Sequence, residues 1–172
     1  MASHLKGSAN NINQYLNTNF VVSSFIKHGA NIKQILHSQE SELKCLGKKD
    51  IIVVNGGSND LDNNTEKRSS ALSYMFQFAQ KYMNTNIIML NIPLRHDSAM
   101  NPQINLEIQD FNTKLSKRAK LFMHVDLVEM NSDRKYFTKH GFHLNNVDKD
   151  KLAKVIALQI NKIINPSLMT SL

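Results

Sequence analysis

The chain has 172 residues, 41% of them hydrophobic, and a formal net charge of +7 from 21 Lys and Arg against 14 Asp and Glu. That length and apolar content suit one folded domain over residues 1–172 and exclude a disordered chain, while the longest apolar runs, "IIVV" and "IIML", are too short to span a bilayer. A single cysteine, Cys45, excludes an internal disulfide and a cysteine-paired zinc site.

An intracellular, reducing setting, most simply the cytoplasm, fits that cysteine usage, and "MASHLKGSANN" has no apolar core for a signal peptide. The positive charge favours anionic partners, but basic residues such as Lys114, Lys117, Arg118 and Lys120 read first as a solvated helix face.

Taken in order, "NFVVSSFI" (Asn19 to Ile26) predicts a strand, and Ile32, Ile35, Leu36, Leu43 and Leu46 follow at helical spacing. "DIIVVNGG" is an apolar run stopped by two glycines, as expected of a strand buried on both faces. Leu72, Met75, Phe76, Ala79 and Met83 mark the stripe of a helix starting near Asn64 or Thr65. "NIIMLNIP" predicts a third strand, Ile104, Ile108, Phe111 and Leu115 one face of a third helix, and "LFMHVDLV" a fourth strand. A last helix carries Leu152, Val155, Ile156, Ile160 and Ile163, with Asn145 or Asn146 as its N-cap. Strands alternating with helices of this length predict an α/β, three-layer, flavodoxin-like fold: a parallel sheet flanked by helices.

Ligands in such folds meet the loops at the C-terminal ends of the strands. Here those are "KHGAN", "NGGSNDLDNN", "PLRHDSAMNP" and the long "EMNSDRKYFTKHGFHLNN". In the second, Gly56 and Gly57 permit tight backbone geometry and Asn59 has an amide suited to an oxyanion, although a polar turn explains the same residues. His140 and His143 flank a glycine in the fourth. As a zinc pair they lack further ligands and a helical His-Glu-x-x-His pattern. His124 reads as a packing residue, and Arg95 and His96 read first as an exposed loop and only second as contacts for an acidic substrate or nucleic acid.

"IIVVNGGSNDL" resembles the third block of the SGNH (GDSL-like) hydrolase family, with Gly57 and Asn59 at the matching positions. "IKHGANIKQIL" resembles the second block, with Gly29 as the backbone donor, and "HGFHLN" the fifth, with His143 as general base. The likeness runs in order along nearly the whole chain. More narrowly, "NGGSNDL", "LNIPLRHD" and "YFTKHGFHLN" look like the esterase-like domains of LINE-type retrotransposon proteins. That resemblance places Ser3 at the nucleophile position, with His4 beside it and Ala2 where the family has Asp; Ser8 is the local rival. It implies a serine esterase acting on small carboxylic esters, with Gly29, Asn59 and Gly57 forming the oxyanion hole and no cofactor.

Two departures from the pattern predict weak or absent turnover. The family's first strand, which leads into the nucleophile, has no counterpart before Ala2, so an N-terminally truncated copy is expected. His140 stands three residues before His143, where the family has an orienting Asp; the candidates to orient His143 are then His140 itself, a carboxylate of the same loop, Asp133 or Glu129, or a backbone carbonyl. The alternative function is a catalytically degenerate SGNH-like module, a pseudoenzyme binding nucleic acid or protein, consistent with the +7 charge. Oligomeric state is left open.

Overall fold

The computed structural model describes residues 5, 7–16, 20–61, 65–97 and 103–165. Three strands, β1 (Ile51–Val54), β2 (Asn86–Leu90) and β3 (Val125–Val128), form a parallel sheet in the order β1-β2-β3. The register pairs Ile52 with Ile87, Val54 with Met89 and Leu90 with Val128. Helix α4 (Thr65–Lys81) connects β1 to β2, and α5 (Gln103–Ala119) connects β2 to β3. Before the sheet come α1 (Ser8–Tyr15), α2 (Ile32–His37) and α3 (Glu40–Leu43); after it, α6 (Asn146–Ile164) closes the domain.

The layers follow from the two-residue period of a strand, which sends successive side chains to opposite faces. On β2, Ile87 and Met89 join a core with Ile32, Phe76, Ile108 and Phe111 from α2, α4 and α5. Ile88 and Leu90 join a second core with Ile12 of α1 and Leu152, Ile156 and Ile160 of α6. All four β2 residues are fully buried, which is why this strand reads as an unbroken apolar run.

Several expectations change in detail. Residues 20–27 carry no helix or strand, with Val21 95% and Phe25 58% exposed. β-branched and aromatic content supplies strand propensity only; a strand exists where a neighbour takes its backbone hydrogen bonds, and among the described residues none does so here. The stretch from Ile32 to Leu46 splits into α2 and α3, and Met83 falls beyond α4 and is exposed. Of "LFMHVDLV" only the second half is β3; Leu121 and Met123 are exposed. Val155 of α6 is likewise 46% exposed. α1 lay outside the sequence-based prediction because its Asn-rich surface shows one dominant apolar anchor, Ile12.

α6 begins where expected. Asn145 accepts the Asp148 N–H at 3.0 Å through Oδ1 and donates from Nδ2 to the Lys135 carbonyl at 3.1 Å, so one side chain caps the helix and ties it to the preceding loop. Asn145→Ala is expected to lower stability by about 1–2 kcal/mol, read from the denaturation midpoint.

Candidate active site

The site is assembled from loops at the C-terminal ends of the strands. After β1 the chain turns through Gly57, whose φ of +102° lies in the left-handed region and whose missing Cβ would stand 3.1 Å from Ile92 Cδ1. A short 3-10 turn, Ser58–Asp60, follows. Asn59 donates from Nδ2 to the Ala30 carbonyl at 2.8 Å, and the buried Asp60 accepts the Ile32 N–H at 2.9 Å. These bonds fasten the Gly29 loop to the Gly57–Asp60 loop. Gly29 has φ +69° and lies beside Ala30, so the two proposed sources of oxyanion donors share one edge of the site. An amide nitrogen has two hydrogens, so Asn59 retains a second N–H beyond the one given to Ala30.

The loop after β2 is held mainly by α5. Asn112 donates to the Ile92 carbonyl at 2.7 Å and accepts the Ile92 N–H at 3.0 Å. Asn105 does the same for Arg95, at 2.9 and 2.8 Å. Seven residues apart, these amides share one face of α5 and replace the strand that would otherwise satisfy the loop backbone.

The loop after β3 ends in a tight hairpin. Phe137 and Leu144 form an antiparallel bridge, Thr138 N–H donates to the His143 carbonyl at 2.7 Å, and Gly141 N–H donates to the Thr138 carbonyl at 2.8 Å. Gly141, with φ +73°, gives this turn a bulged-hairpin form. Arg134 braces it from below by donating to the Thr138 and Lys139 carbonyls at 2.9 and 2.7 Å.

The loops after β2 and β3 then lock together. His96 N–H donates to the Gly141 carbonyl at 3.0 Å, and Leu94 N–H donates to Ser132 Oγ at 3.0 Å. His96 Nε2 lies 2.6 Å from the Ser132 carbonyl, which can only accept, so Nε2 carries the proton. The guanidinium of Arg95 lies 4.7 Å from the centre of the Phe142 ring, and the Phe142 and His143 rings meet edge to face at 4.6 Å. Arg95 also holds Asp97 through two bonds, at 2.9 and 2.8 Å. Arg95 and His96 are thus half-buried and engaged within the protein, in place of the exposed loop that the sequence suggested.

His143 is half-buried on the hairpin's return arm, with its Nδ1 covered. Desolvation holds its pKa below the ordinary value of 6.5, helped by the positive charge of Lys149; Asp97 acts in the opposite direction. The ring is therefore the neutral form near pH 7, the state a general base requires. An apolar depression lies between the loops, lined by Ser58, Leu61, Ile92, Arg95, Ile108 and Phe142. Its walls include the neighbours in sequence of Asn59 and His143.

Other candidates fall elsewhere. Ser3, His4 and Ala2 lie outside the described residues. Ser8 is 1% exposed inside α1, with Oγ buried, which argues against it as a nucleophile. His140 is exposed at the hairpin tip. Asp133 has a 61% exposed side chain turned to Lys135 at 3.5 Å, and Glu129 is exposed. His124 Nε2 meets the Ala79 carbonyl at 2.9 Å, a packing role. Cys45 is exposed. Among the described residues there is no group of three or more His, Cys, Asp or Glu side chains arranged to hold a metal, and no helix long and apolar enough to cross a membrane.

No protein-family model matches the chain, and no curated protein matches it in sequence. Solved structures do match. A GDSL-like lipase from Bacteroides thetaiotaomicron aligns with a TM-score of 0.71 at 18% identity, covering 92% of this chain and 83% of the lipase. A member of the lipolytic protein G-D-S-L family from Veillonella parvula gives 0.65 at 11% identity over 99% and 88% of the two chains. A carbohydrate esterase family 3 structure from Talaromyces cellulolyticus gives 0.62 at 13% identity over 95% and 92%. At these identities the likeness is one of architecture, and the chain has the α/β fold of GDSL-like lipases and esterases.

Proposed function

We propose that this chain is an SGNH-type serine hydrolase of small carboxylic esters. The observation that carries the reading is the hydrogen bond from Asn59 Nδ2 to the Ala30 carbonyl at 2.8 Å, which joins the loop of Gly29 to the loop of Asn59 at the end of the sheet where such folds bind ligands. Ser3 Oγ attacks the ester carbonyl and His143 takes its proton. The tetrahedral oxyanion is met by the backbone N–H of Gly29 and the side-chain N–H of Asn59, with Gly57 permitting the turn that presents Asn59. The base then returns the proton to the departing alkoxide, and water hydrolyses the acyl-enzyme by the same route.

The reading includes an intracellular setting, weak or absent turnover and a kinship with retrotransposon-encoded esterase-like domains. The last rests on the wording of "NGGSNDL", "LNIPLRHD" and "YFTKHGFHLN". A fluorophosphonate is expected to label Ser3, and Ser3→Ala to abolish both labelling and p-nitrophenyl acetate hydrolysis. Labelling mapped to another serine by peptide mass spectrometry rejects the assignment.

A further inference from the structure

We propose that the end of the sheet opposite the candidate active site is a docking surface for an anionic phospholipid membrane, with Met83, Leu121 and Met123 entering the headgroup layer and Lys48, Lys49 and Lys120 meeting its negative charge. The inference is independent of the esterase reading.

Three loops come together at this end, because parallel strands all begin there. Residues 47–50 lead into β1, residues 82–85 into β2 and residues 120–124 into β3. Hydrogen bonds join them into one surface. Asn86 donates from Nδ2 to the Lys48 carbonyl at 2.8 Å, the Ile87 N–H donates to the His124 carbonyl at 2.8 Å, and His124 Nε2 lies 2.9 Å from the Ala79 carbonyl in the last turn of α4. Three large apolar side chains face outward from these loops: Met83 is 63% exposed, Leu121 78% and Met123 fully. They are held there by ordered structure. Between Leu121 and Met123, the half-buried Phe122 stacks on Phe76 with ring centres 5.4 Å apart. The Leu121 and Phe122 N–H groups donate to the Arg118 and Ala119 carbonyls at 3.0 Å, and the Val125 N–H donates to the Phe122 carbonyl at 3.1 Å. With Phe122 anchored inward, its two neighbours stay in solvent. One such side chain on a surface is ordinary, whereas three on adjoining loops mark a contact surface.

The charge around them selects the partner. Lys48, Lys49 and Lys120 are exposed on the same loops, and among the described residues none of the three forms an ion pair. The acid of this end, Asp50, accepts the Gly47 N–H at 2.8 Å. Lys117, Arg118 and Lys120, around the end of α5, complement the helix dipole, and Arg118 also stands over the Phe76 ring at 4.6 Å. Lys48 and Lys49 belong to a loop and have no such role. Exposed Leu and Met side chains among lysines match an interface that is anionic at its surface and apolar beneath it. A nucleic acid would engage the lysines and leave the apolar side chains in water; a membrane engages both. The candidate active site, at the other end of the strands, then faces the aqueous side.

The test is co-sedimentation of the full chain with vesicles of phosphatidylcholine, with or without phosphatidylserine as a quarter of the lipid. The phosphatidylserine vesicles are expected to bind on the order of tenfold more tightly than the neutral ones, and less tightly as salt is raised. Leu121→Gln combined with Met123→Gln is expected to weaken binding by on the order of tenfold, and Lys48→Gln combined with Lys49→Gln by a similar factor. All four side chains are exposed, so these variants keep the fold, as circular dichroism verifies. Leu106→Gln removes a side chain that is 60% exposed near the start of α5, the far end of that helix, and is expected to change nothing. Binding to neither vesicle, or an equal loss in Leu106→Gln, overturns the proposal. So does affinity for a single-stranded RNA oligonucleotide, without vesicle binding, that depends on the lysines and ignores Leu121 and Met123. A dimer that dissociates in the Leu121→Gln, Met123→Gln variant while vesicles are ignored assigns the surface to a second copy of the chain and overturns it equally.

Discussion

Gly141→Ala is expected to destabilise the protein by about 2–4 kcal/mol and to uncouple the two loops that build the site. Two costs combine. With φ at +73°, an L-residue pays about 1–2 kcal/mol for left-handed backbone. The added Cβ would also stand 2.7 Å from the carbonyl carbon and 2.8 Å from the carbonyl oxygen of His96, which are backbone atoms unable to swing aside. The loops must therefore part, and the His96 to Gly141 hydrogen bond at 3.0 Å is the first casualty. A denaturation midpoint and the amide resonance of His96 check both effects. Gly7 is a control for strain, since its φ is +79° but a Cβ added there would meet nothing within 4 Å among the described residues. If Gly141→Ala costs no more than Gly7→Ala, the close approach of the two loops is not what holds this part of the structure.

His143→Ala is expected to slow fluorophosphonate labelling and ester hydrolysis by on the order of 10⁶-fold, the scale seen when a base that activates serine is removed. The pH profile of the unmodified protein carries a second signature. Burial depresses the pKa of His143 below 6.5, so activity is present at neutral pH and is lost only as pH falls through that lowered value. The same shift enters stability with a definite sign. Below 6.5 the unfolded chain protonates this residue before the folded chain does, so its contribution to stability declines as pH falls toward the folded-state value. An acid limb with its midpoint above 6.5 would show that another group controls the rate.

The hairpin that carries His143 also sets it apart from His140. In the sequence, His140 and His143 lie on either side of Gly141, three residues apart. In the folded chain the glycine is the corner of a bulged turn, so His140 falls at its exposed tip while His143 returns toward the Phe142 ring. Three residues of separation bring side chains together on a helix but part them across a tight turn. His96 and Gly141 are the converse: far apart in numbering, they meet only because the two loops dock, the His96 N–H donating to the Gly141 carbonyl at 3.0 Å.

What the sequence determined by itself was whatever depends on local periodicity and composition. The buried run Asn86–Leu90, the stripe Ile104, Ile108, Phe111 and Leu115 on α5, the Asn145 cap of α6 and the order of alternating strands and helices were all legible, because apolar spacing and capping chemistry act within a few residues. The loops worth inspecting were legible too, since a parallel sheet gathers them at one end. Tertiary structure alone decided which polar residues are spent on architecture. Asn105 and Asn112 read as ordinary helix residues yet hold the backbone of Arg95 and Ile92. It also decided that residues 20–27, strand-like in composition, form no strand, and that Arg95 and His96 turn inward to brace the histidine loop. The physical reason is the same in each case: propensity is a property of a residue, whereas a hydrogen bond or an ion pair needs a partner, and in this protein the partners lie on different loops.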